Sequence, residues 1–283
     1  MTDAGPEIVI APDAEAAAGE AAERIVGILG SAIERRGRAD WATTGGSTPA
    51  GIYRRLANPP LRTAIDWERV HLWWGDDRYV PADHPLSNAL PAYEILLGAA
   101  GRGGFSGIGE TGIDVVAGHQ PGVPIPGDQV HPFETTKSIG QGIGAEGCAR
   151  TYVAELRAGG LEEKDGVPMF DLVLLGIGPD GHLLSVFPGS SAFDSRDWAM
   201  AVPAPTQVEP HIERVTLNPA IVSAAGAVVV VVYGQAKADV IREALRGSAE
   251  PRDLPARLAA RSGATWILDE PAGGRLGPEL IGA

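Results

Sequence analysis

The chain has 283 residues, and 44% of them are hydrophobic, enough to fill a sizeable core. Its net charge of -13 argues against nucleic acid or an anionic membrane as a partner, because both favour a basic surface. An anionic small ligand is not excluded. The longest strongly apolar run, residues 227–233, is far below the roughly 20 residues of a membrane-spanning helix. The acidic N-terminus lacks a secretory pattern and Cys148 is the only cysteine, so we expect a cytoplasmic protein without internal disulfides.

Apolar strand-like runs alternate with helical patterns along the chain. We predict strands at residues 7–11, 41–45, 69–74, 170–176, 214–218, 227–234 and 265–269. Helical patterns lie at about 13–37, 49–57, 87–97, 145–158 and 235–247. This alternation predicts a doubly wound, Rossmann-like α/β fold, in which a mostly parallel sheet has helices on both faces.

The least regular part of the sequence is residues 98–143, which are rich in glycine and proline. Such a composition predicts a long irregular surface excursion. No shift in composition divides the chain, so we predict one domain over residues 1–283.

A glycine-rich turn joins the second predicted strand to the next helix. It contains Gly45, Gly46, Ser47 and Thr48, and Pro49 suits the first helical turn that follows. Glycines let the backbone approach an anion, and the free N–H groups and the helix dipole favour a phosphate. The lysine of a nucleotide P-loop is missing, so the turn indicates a site for one small phosphate. The alternative is a plain capped helix start.

Charged side chains follow the third predicted strand, at Asp76, Asp77 and Arg78. Open α/β sheets bind ligands beyond the carboxyl ends of their strands, so these groups are expected to face the same crevice as the glycine-rich turn. A surface salt-bridge cluster is the alternative.

Residues 176–181, GIGPDG, match the dinucleotide pattern G-x-G-x-x-G. A dinucleotide site needs a helix of several turns after the third glycine, but Pro188 and Gly189 stop the following run too early. The stretch instead places Asp180 and His182 at a strand end, where a histidine can move a proton and a carboxylate can fix its tautomer. Alternatively, the two residues only cap a turn and a short helix.

Three segments, taken together and in this order, resemble the 6-phosphogluconolactonase family. They are GGSTP, then GDDRYVP with DHPLSN, then LLGIGPDGHLLSVFPG. The later RVTLNPAIVSAAGAVVVVVYGQAKADVI and WILD segments extend the resemblance, which covers roughly residues 40–270. The family belongs to a fold group that includes glucosamine-6-phosphate deaminases and ribose-5-phosphate isomerases.

The resemblance implies hydrolysis of 6-phospho-D-glucono-1,5-lactone to 6-phospho-D-gluconate in the pentose phosphate pathway, with no metal and no cofactor. It implies that His182, supported by Asp180, activates water, and that Asp76 and Arg78 line the lactone end. The residues implied to bind the substrate phosphate are Gly46, Ser47, Thr48, Arg214 and Lys237. No G-x-S-x-G elbow and no zincin histidine pair are present in the sequence, which favours direct attack by water.

The sequence departs from the family pattern in two places. Leu183 and Leu184 replace smaller residues after His182, and the segment PAPTQVEPHIER replaces a lysine-bearing stretch. Within that segment His211 is the nearest residue to Arg214 able to carry a positive charge. We therefore treat His211 as a further candidate contact to the sugar or the developing oxyanion, the alternative being a histidine hydrogen-bonded within a loop.

Two other functions use the same features. A glucosamine-6-phosphate deaminase or sugar-phosphate isomerase would use the same phosphate turn and Asp-His pair, although deaminases usually carry tyrosine where Arg78 stands. A non-catalytic sugar-phosphate sensor normally adds a DNA-binding module, for which this chain has neither a basic segment nor spare length. The sequence gives no oligomeric state.

Overall fold

The computed structural model describes residues 5–46, 48–98 and 122–277. The strands are β1 (Glu7–Ala11), β2 (Ala39–Thr43), β3 (Val70–Trp74), β4 (Asp76–Arg78), β5 (Val130–His131), β6 (Glu163–Lys164), β7 (Val167–Pro168), β8 (Leu172–Leu175), β9 (Ala199–Val202), β10 (Arg214–Leu217), β11 (Ala227–Val232) and β12 (Ala264–Asp269). The α-helices are α1 (Ala14–Arg36), α2 (Thr48–Leu56), α3 (Thr135–Gln141), α4 (Gly144–Ala158), α5 (Ile221–Ala224), α6 (Ala238–Arg246) and α7 (Glu270–Gly273).

Seven strands form a parallel sheet in the order β1-β12-β11-β8-β2-β3-β5. Its central strands β8, β2 and the end of β11 are fully buried, which explains their continuous apolar runs. Helices pack against this sheet, α1 contacting several of its strands. The predicted doubly wound α/β fold is confirmed. From β2, the chain order proceeds outward to β3 and β5 on one side and to β8 and β11 on the other, so a ligand crevice is expected between β2 and β8.

A second, antiparallel sheet holds β4, β10 and β9. The predicted strand at 214–218 therefore exists but lies outside the parallel sheet. In the register of β10 against β4, Arg214 is opposite Arg78 and Thr216 is opposite Asp76. This small sheet brings charged residues from two distant parts of the chain to the same place.

The described part of the predicted irregular excursion is more ordered than its composition suggested. Residues 130–131 form β5, which pairs with β3 at the edge of the parallel sheet, and residues 135–141 form α3. The prediction of irregular structure is wrong for these residues, because a two-residue strand gives no periodic signal among prolines and glycines. Residues 99–121 lie outside the described part of the chain, and the single domain stays a prediction.

Helix α1 has clear start and stop signals. Asp13 caps its beginning by accepting a hydrogen bond from Ala16 N, and Gly37 ends it with φ of 78°. Its buried face is rich in alanine, so the helix lies close to the sheet. None of the helices in the described ranges combines the length and apolar character that crossing a bilayer demands.

Candidate active site

A cavity of about 220 Å³ lies at the carboxyl edge of the parallel sheet. It is bordered by the turn after β2, the loop after β8, strands β4 and β10, and the start of the segment before α6. Residues of the predicted site that line it are Gly46, Thr48, Asp76, Arg78, His182, Arg214 and Lys237. The fold thus brings together groups from five separate stretches of sequence.

The glycine-rich turn forms one wall of the cavity. Gly46 has φ of 84°, a conformation that favours glycine, and α2 begins at Thr48, which is buried. A Cβ on Gly45 would lie 1.9 Å from Asn88 Oδ1, so only glycine allows the turn to pack this closely. Ser47 lies outside the described residues. The turn therefore brings the start of α2 to the cavity, and the first N–H groups of a helix have no partner within the helix, as a phosphate site requires.

Two cations in the wall are fully or partly removed from water and form no ion pair among the described residues. Arg214 is only 3% exposed; its Nη2 donates to the carbonyl of Pro210 at 3.2 Å, and its Nε has no hydrogen-bond partner there. Lys237 is half-buried, and burial lowers the pKa of its ammonium group. Burial also lowers the pKa of Arg214, although the charge of Asp76 opposes this. An incoming anion would offset these costs.

Arg78 lies directly across the small antiparallel sheet from Arg214. Its Nη1 donates to the carbonyl of Leu86 at 2.9 Å, while its buried Nε has no partner among the described residues. Like charges directly opposite each other in a sheet are destabilising. The pair is therefore suited to a negatively charged group placed between or beside the two guanidinium groups.

Asp76 is held in a fixed orientation by its neighbours. Its Oδ2 accepts a hydrogen bond from Ser185 Oγ at 2.6 Å, and Oδ1 accepts one from Asn88 Nδ2 at 3.2 Å. Asp77 points away into a buried cage, where it accepts from the backbone N–H of Asn88 and of Arg78. Burial, together with the charge of Asp76, raises the pKa of Asp77 to about 7. Of the two acidic residues, only Asp76 reaches the cavity.

His182 and Asp180 form a hydrogen-bonded pair beyond the end of β8. Asp180 Oδ1 lies 2.5 Å from His182 Nδ1 and also accepts from the backbone N–H of His182. Burial alone would raise the pKa of Asp180, but the hydrogen bonds and charge of His182 lower it. With Nδ1 donating to the carboxylate, Nε2 is the nitrogen left to accept a proton. The ring packs against Gly178, where a Cβ would lie 2.0 Å from His182 Cε1.

Phe187 connects this pair to the cations. Its ring centroid lies 4.6 Å from that of His182 and 5.5 Å from the guanidinium carbon of Arg214.

The stretch after the glycine pattern forms no helix. Residues 181–190 contain only a single β-bridge, which pairs Leu183 with Val186. The third glycine of GIGPDG is therefore not followed by the helix that a dinucleotide site needs, in agreement with the sequence interpretation.

The two leucines after His182 differ in their placement. Both are buried, but only Leu184 also lines the cavity, and it has φ of 54°, an unusual conformation for a residue with a side chain. Its Cδ2 occupies the space beside Gly75, where a Cβ would approach to 2.6 Å. Leu184 thus narrows the cavity on the side of Asp76.

His211 is not among the residues that line the cavity. It is exposed, and its Nδ1 lies 2.7 Å from the carbonyl oxygen of Pro205. This is the loop hydrogen bond that the sequence left open as the alternative. Val208 and Glu209, from the same segment, line the cavity instead.

The sequence reasoning missed the residues that orient Asp76. Asn88 and Ser185 fall inside the DHPLSN and GHLLS segments, but a sequence alone does not show which carboxylate they contact. Within the described ranges, no group of three or more His, Cys, Asp or Glu side chains is arranged to hold a metal ion.

The fold and the cavity define an open α/β protein with a basic, histidine-containing pocket at the carboxyl edge of its sheet. Residues 12–267 match the family model described as glucosamine-6-phosphate isomerases/6-phosphogluconolactonase. The chain belongs to this family of enzymes.

Individual relatives agree with this assignment. The chain is 33% identical to the 6-phosphogluconolactonase of Mycobacterium tuberculosis over 270 residues, covering 95% of this chain and 98% of the relative. It is 34% identical to the 6-phosphogluconolactonase of Synechocystis over 248 residues, covering 87% and 88%. The solved 6-phosphogluconolactonase of Trypanosoma brucei superimposes with a TM-score of 0.79 at 28% identity, covering 96% of this chain and 99% of that one.

Proposed function

We propose that the chain hydrolyses 6-phospho-D-glucono-1,5-lactone to 6-phospho-D-gluconate, in the pentose phosphate pathway and without a metal ion. The observation that carries this proposal is one small cavity that combines a histidine–aspartate pair with three cations lacking anionic partners among the described residues. A phosphorylated ester needs both features, a base for water and a positive site for the phosphate.

In the proposed complex, the substrate phosphate binds the turn at Gly46, Ser47 and Thr48. Arg214 and Lys237 supply its cations. Each of these contacts would be a charge-assisted hydrogen bond, and the backbone N–H groups at the start of α2 add to them. Arg78 and Asp76 are then left for the lactone ring.

The proposed reaction uses the orientation of His182. Nε2 takes a proton from water as the water oxygen bonds to C1 of the lactone, and the carbonyl electrons move onto the oxygen. Arg78 is the proposed donor to this oxyanion. When the intermediate collapses, the bond from C1 to the ring oxygen breaks, and His182 returns the proton to that oxygen. The acid formed ionises to the carboxylate, and no covalent enzyme intermediate is required.

Asp180 acts through His182 in this scheme. By accepting the Nδ1 proton it fixes the tautomer that leaves Nε2 basic, and its charge stabilises the imidazolium that forms. Hydrogen bonds from Ser185 and Asn88 orient Asp76, so it is suited to position a sugar hydroxyl or the attacking water.

A continuous assay with freshly generated 6-phosphogluconolactone, corrected for spontaneous hydrolysis, tests the function. We expect turnover of the lactone and none of glucosamine 6-phosphate; the reverse would favour the deaminase, and binding without turnover would favour a sensor. Dialysis against a chelator should leave the rate unchanged, and loss of activity restored by a divalent cation would refute the metal-free route. The cytoplasmic location remains part of the proposal and is tested by cell fractionation.

A further inference from the structure

The cavity wall contains a carboxylate that the proposed reaction does not use. Glu209 lines the cavity together with Arg78, Arg214 and Lys237, and it is exposed to solvent. The carbonyl of Pro210, the next residue, accepts a hydrogen bond from Arg214 Nη2 at 3.2 Å, which fixes the backbone beside Glu209.

The charge of Glu209 is not neutralised by the protein. The carboxylate forms no ion pair with any residue in the described part of the chain, although it shares a wall with three cations. An unpaired carboxylate in a pocket for a dianionic phosphate weakens binding of every anionic ligand, so a purely phosphate-binding function does not account for its position.

Hydrolysis adds a second negatively charged group to the ligand. The lactone carries its negative charge on the phosphate alone, whereas the product has an additional carboxylate at C1. Physiological salt screens a charge over roughly 8 Å, and the product must fit in the cavity of about 220 Å³ that Glu209 lines. We therefore expect the new carboxylate to lie within the electrostatic reach of Glu209.

We propose that Glu209 disfavours binding of the carboxylate product relative to the lactone and thereby limits product inhibition. This inference rests on the proposed function, because it requires a reaction that creates a negative charge. Glu209 is then a specificity residue that distinguishes the closed, neutral ring from the opened acid, and it takes no part in the chemical steps.

Calorimetric binding to the Glu209→Gln variant tests the inference. Two ligands are compared, 6-phosphogluconate and 1,5-anhydroglucitol 6-phosphate, which keeps the ring and the phosphate but has no carboxylate. Loss of the charge should strengthen binding of both ligands, and that of 6-phosphogluconate by about two- to fivefold more, as expected for an exposed charge pair. The additional gain should shrink near 1 M salt, where charges are screened within about 3 Å.

Two matched variants make the result specific. Glu209→Asp keeps the charge and should keep the wild-type ratio of the two affinities. Glu213→Gln removes an exposed charge from the same segment outside the cavity lining and should also keep that ratio. An unchanged ratio in Glu209→Gln, or an equal shift in Glu213→Gln, would overturn the inference.

The lactone assay on the wild-type protein shows whether a negative result refutes only the role of Glu209 or the proposed lactonase function as well. Absence of lactone hydrolysis would overturn the proposed function and the role of Glu209 with it. Hydrolysis by the wild type with an unchanged affinity ratio in Glu209→Gln would overturn the role of Glu209 alone. In the expected case, the variant also shows stronger inhibition by added 6-phosphogluconate during turnover.

Discussion

Basic side chains lie at both edges of the parallel sheet, but their partners differ. At the amino ends of β2 and β8, Arg36 forms ion pairs with Asp40 at 2.6 Å and with Asp171, and Arg38 pairs with Asp40 at 2.5 Å. Asp40 is fully buried and also accepts a hydrogen bond from Trp73 Nε1 at 3.1 Å. We call these four charged residues the arginine–aspartate network. Every charge in it has an opposite charge beside it.

Around the cavity at the carboxyl edge of the sheet, Arg78, Arg214 and Lys237 have no ion-pair partner among the described residues. Removing a charge from water costs free energy that an opposite charge can offset. In the arginine–aspartate network the protein supplies that charge through direct ion pairs, whereas in the cavity Asp76 acts on Arg214 without forming an ion pair. We therefore propose that the first group stabilises the fold and that the second binds an anionic ligand.

The sharpest test of this division is the loss of His182, the proposed base in the cavity. We expect His182→Ala to reduce turnover of the lactone by about a hundredfold to ten-thousandfold, because general base catalysis supplies that much. The free energy of unfolding should change little, since the ring lies at the cavity and not in the core. Lactone kinetics and chemical denaturation of the same preparation check both points. A well-folded variant with near-normal turnover would refute the assignment.

The opposite behaviour is expected for Asp40 in the arginine–aspartate network. Asp40→Asn leaves Arg36 and Arg38 without their shared buried carboxylate, and breaking a buried ion pair in this way costs about 3 kcal/mol of unfolding free energy. Affinity for 6-phosphogluconate should stay within twofold of the wild type, because the network lies at the other edge of the sheet. Denaturant titration and calorimetry measure the two quantities. Weakened ligand binding without a loss of stability would contradict the division.

A smaller effect is expected at Lys237, the half-buried cation of the cavity. A charge-assisted hydrogen bond contributes on the order of 1.5 to 3 kcal/mol, so Lys237→Ala should weaken binding of 6-phosphogluconate by roughly tenfold to a hundredfold. Stability should be unchanged or slightly higher, since burial already lowers the pKa of this ammonium group. Lys164→Ala, an exposed lysine on β6, is the control. Equal affinity in the two variants would place the phosphate elsewhere.

The sequence predicted the long elements because their signals are local. The buried runs of β11 and β12 and the capped, alanine-rich α1 can each be recognised without knowing the fold. Strand β4 could not be recognised, because its sequence Asp-Asp-Arg has no strand propensity and it forms only when β10 lies beside it. Strand β5 was missed for the same kind of reason, since two residues carry no period.

The cavity was predictable to the extent that its residues follow strand ends. Gly46, Asp76 and His182 each come shortly after a strand of the parallel sheet, so the fold class alone places them at one edge. The partners of Asp76 were not predictable, because Ser185 reaches it from a loop 109 positions away in the sequence. Side-chain direction in such loops depends on the path of the backbone, which residue types alone do not determine.

His211 is the clearest case in which residue type did not determine side-chain direction, and its substitution has the smallest expected effect on turnover. Its exposed ring bonds to the carbonyl of Pro205, away from the residues that line the cavity, although Glu209 two positions earlier lines it. We therefore expect His211→Ala to change turnover by less than about twofold. An exposed hydrogen bond within a loop contributes on the order of 1 kcal/mol to the order of that loop and nothing to substrate binding.

Rate profiles from pH 6 to 9 for the wild type, His211→Ala and His211→Lys provide the measurement. If a protonated His211 contacted the sugar or oxyanion, its loss would remove the alkaline limb, and lysine would move that limb upward because lysine stays charged several pH units higher. Identical pH profiles for the three proteins would show that His211 acts only within its loop. An alkaline limb that changes with the residue at position 211 would show instead that this residue contacts the substrate and that the segment closes over it.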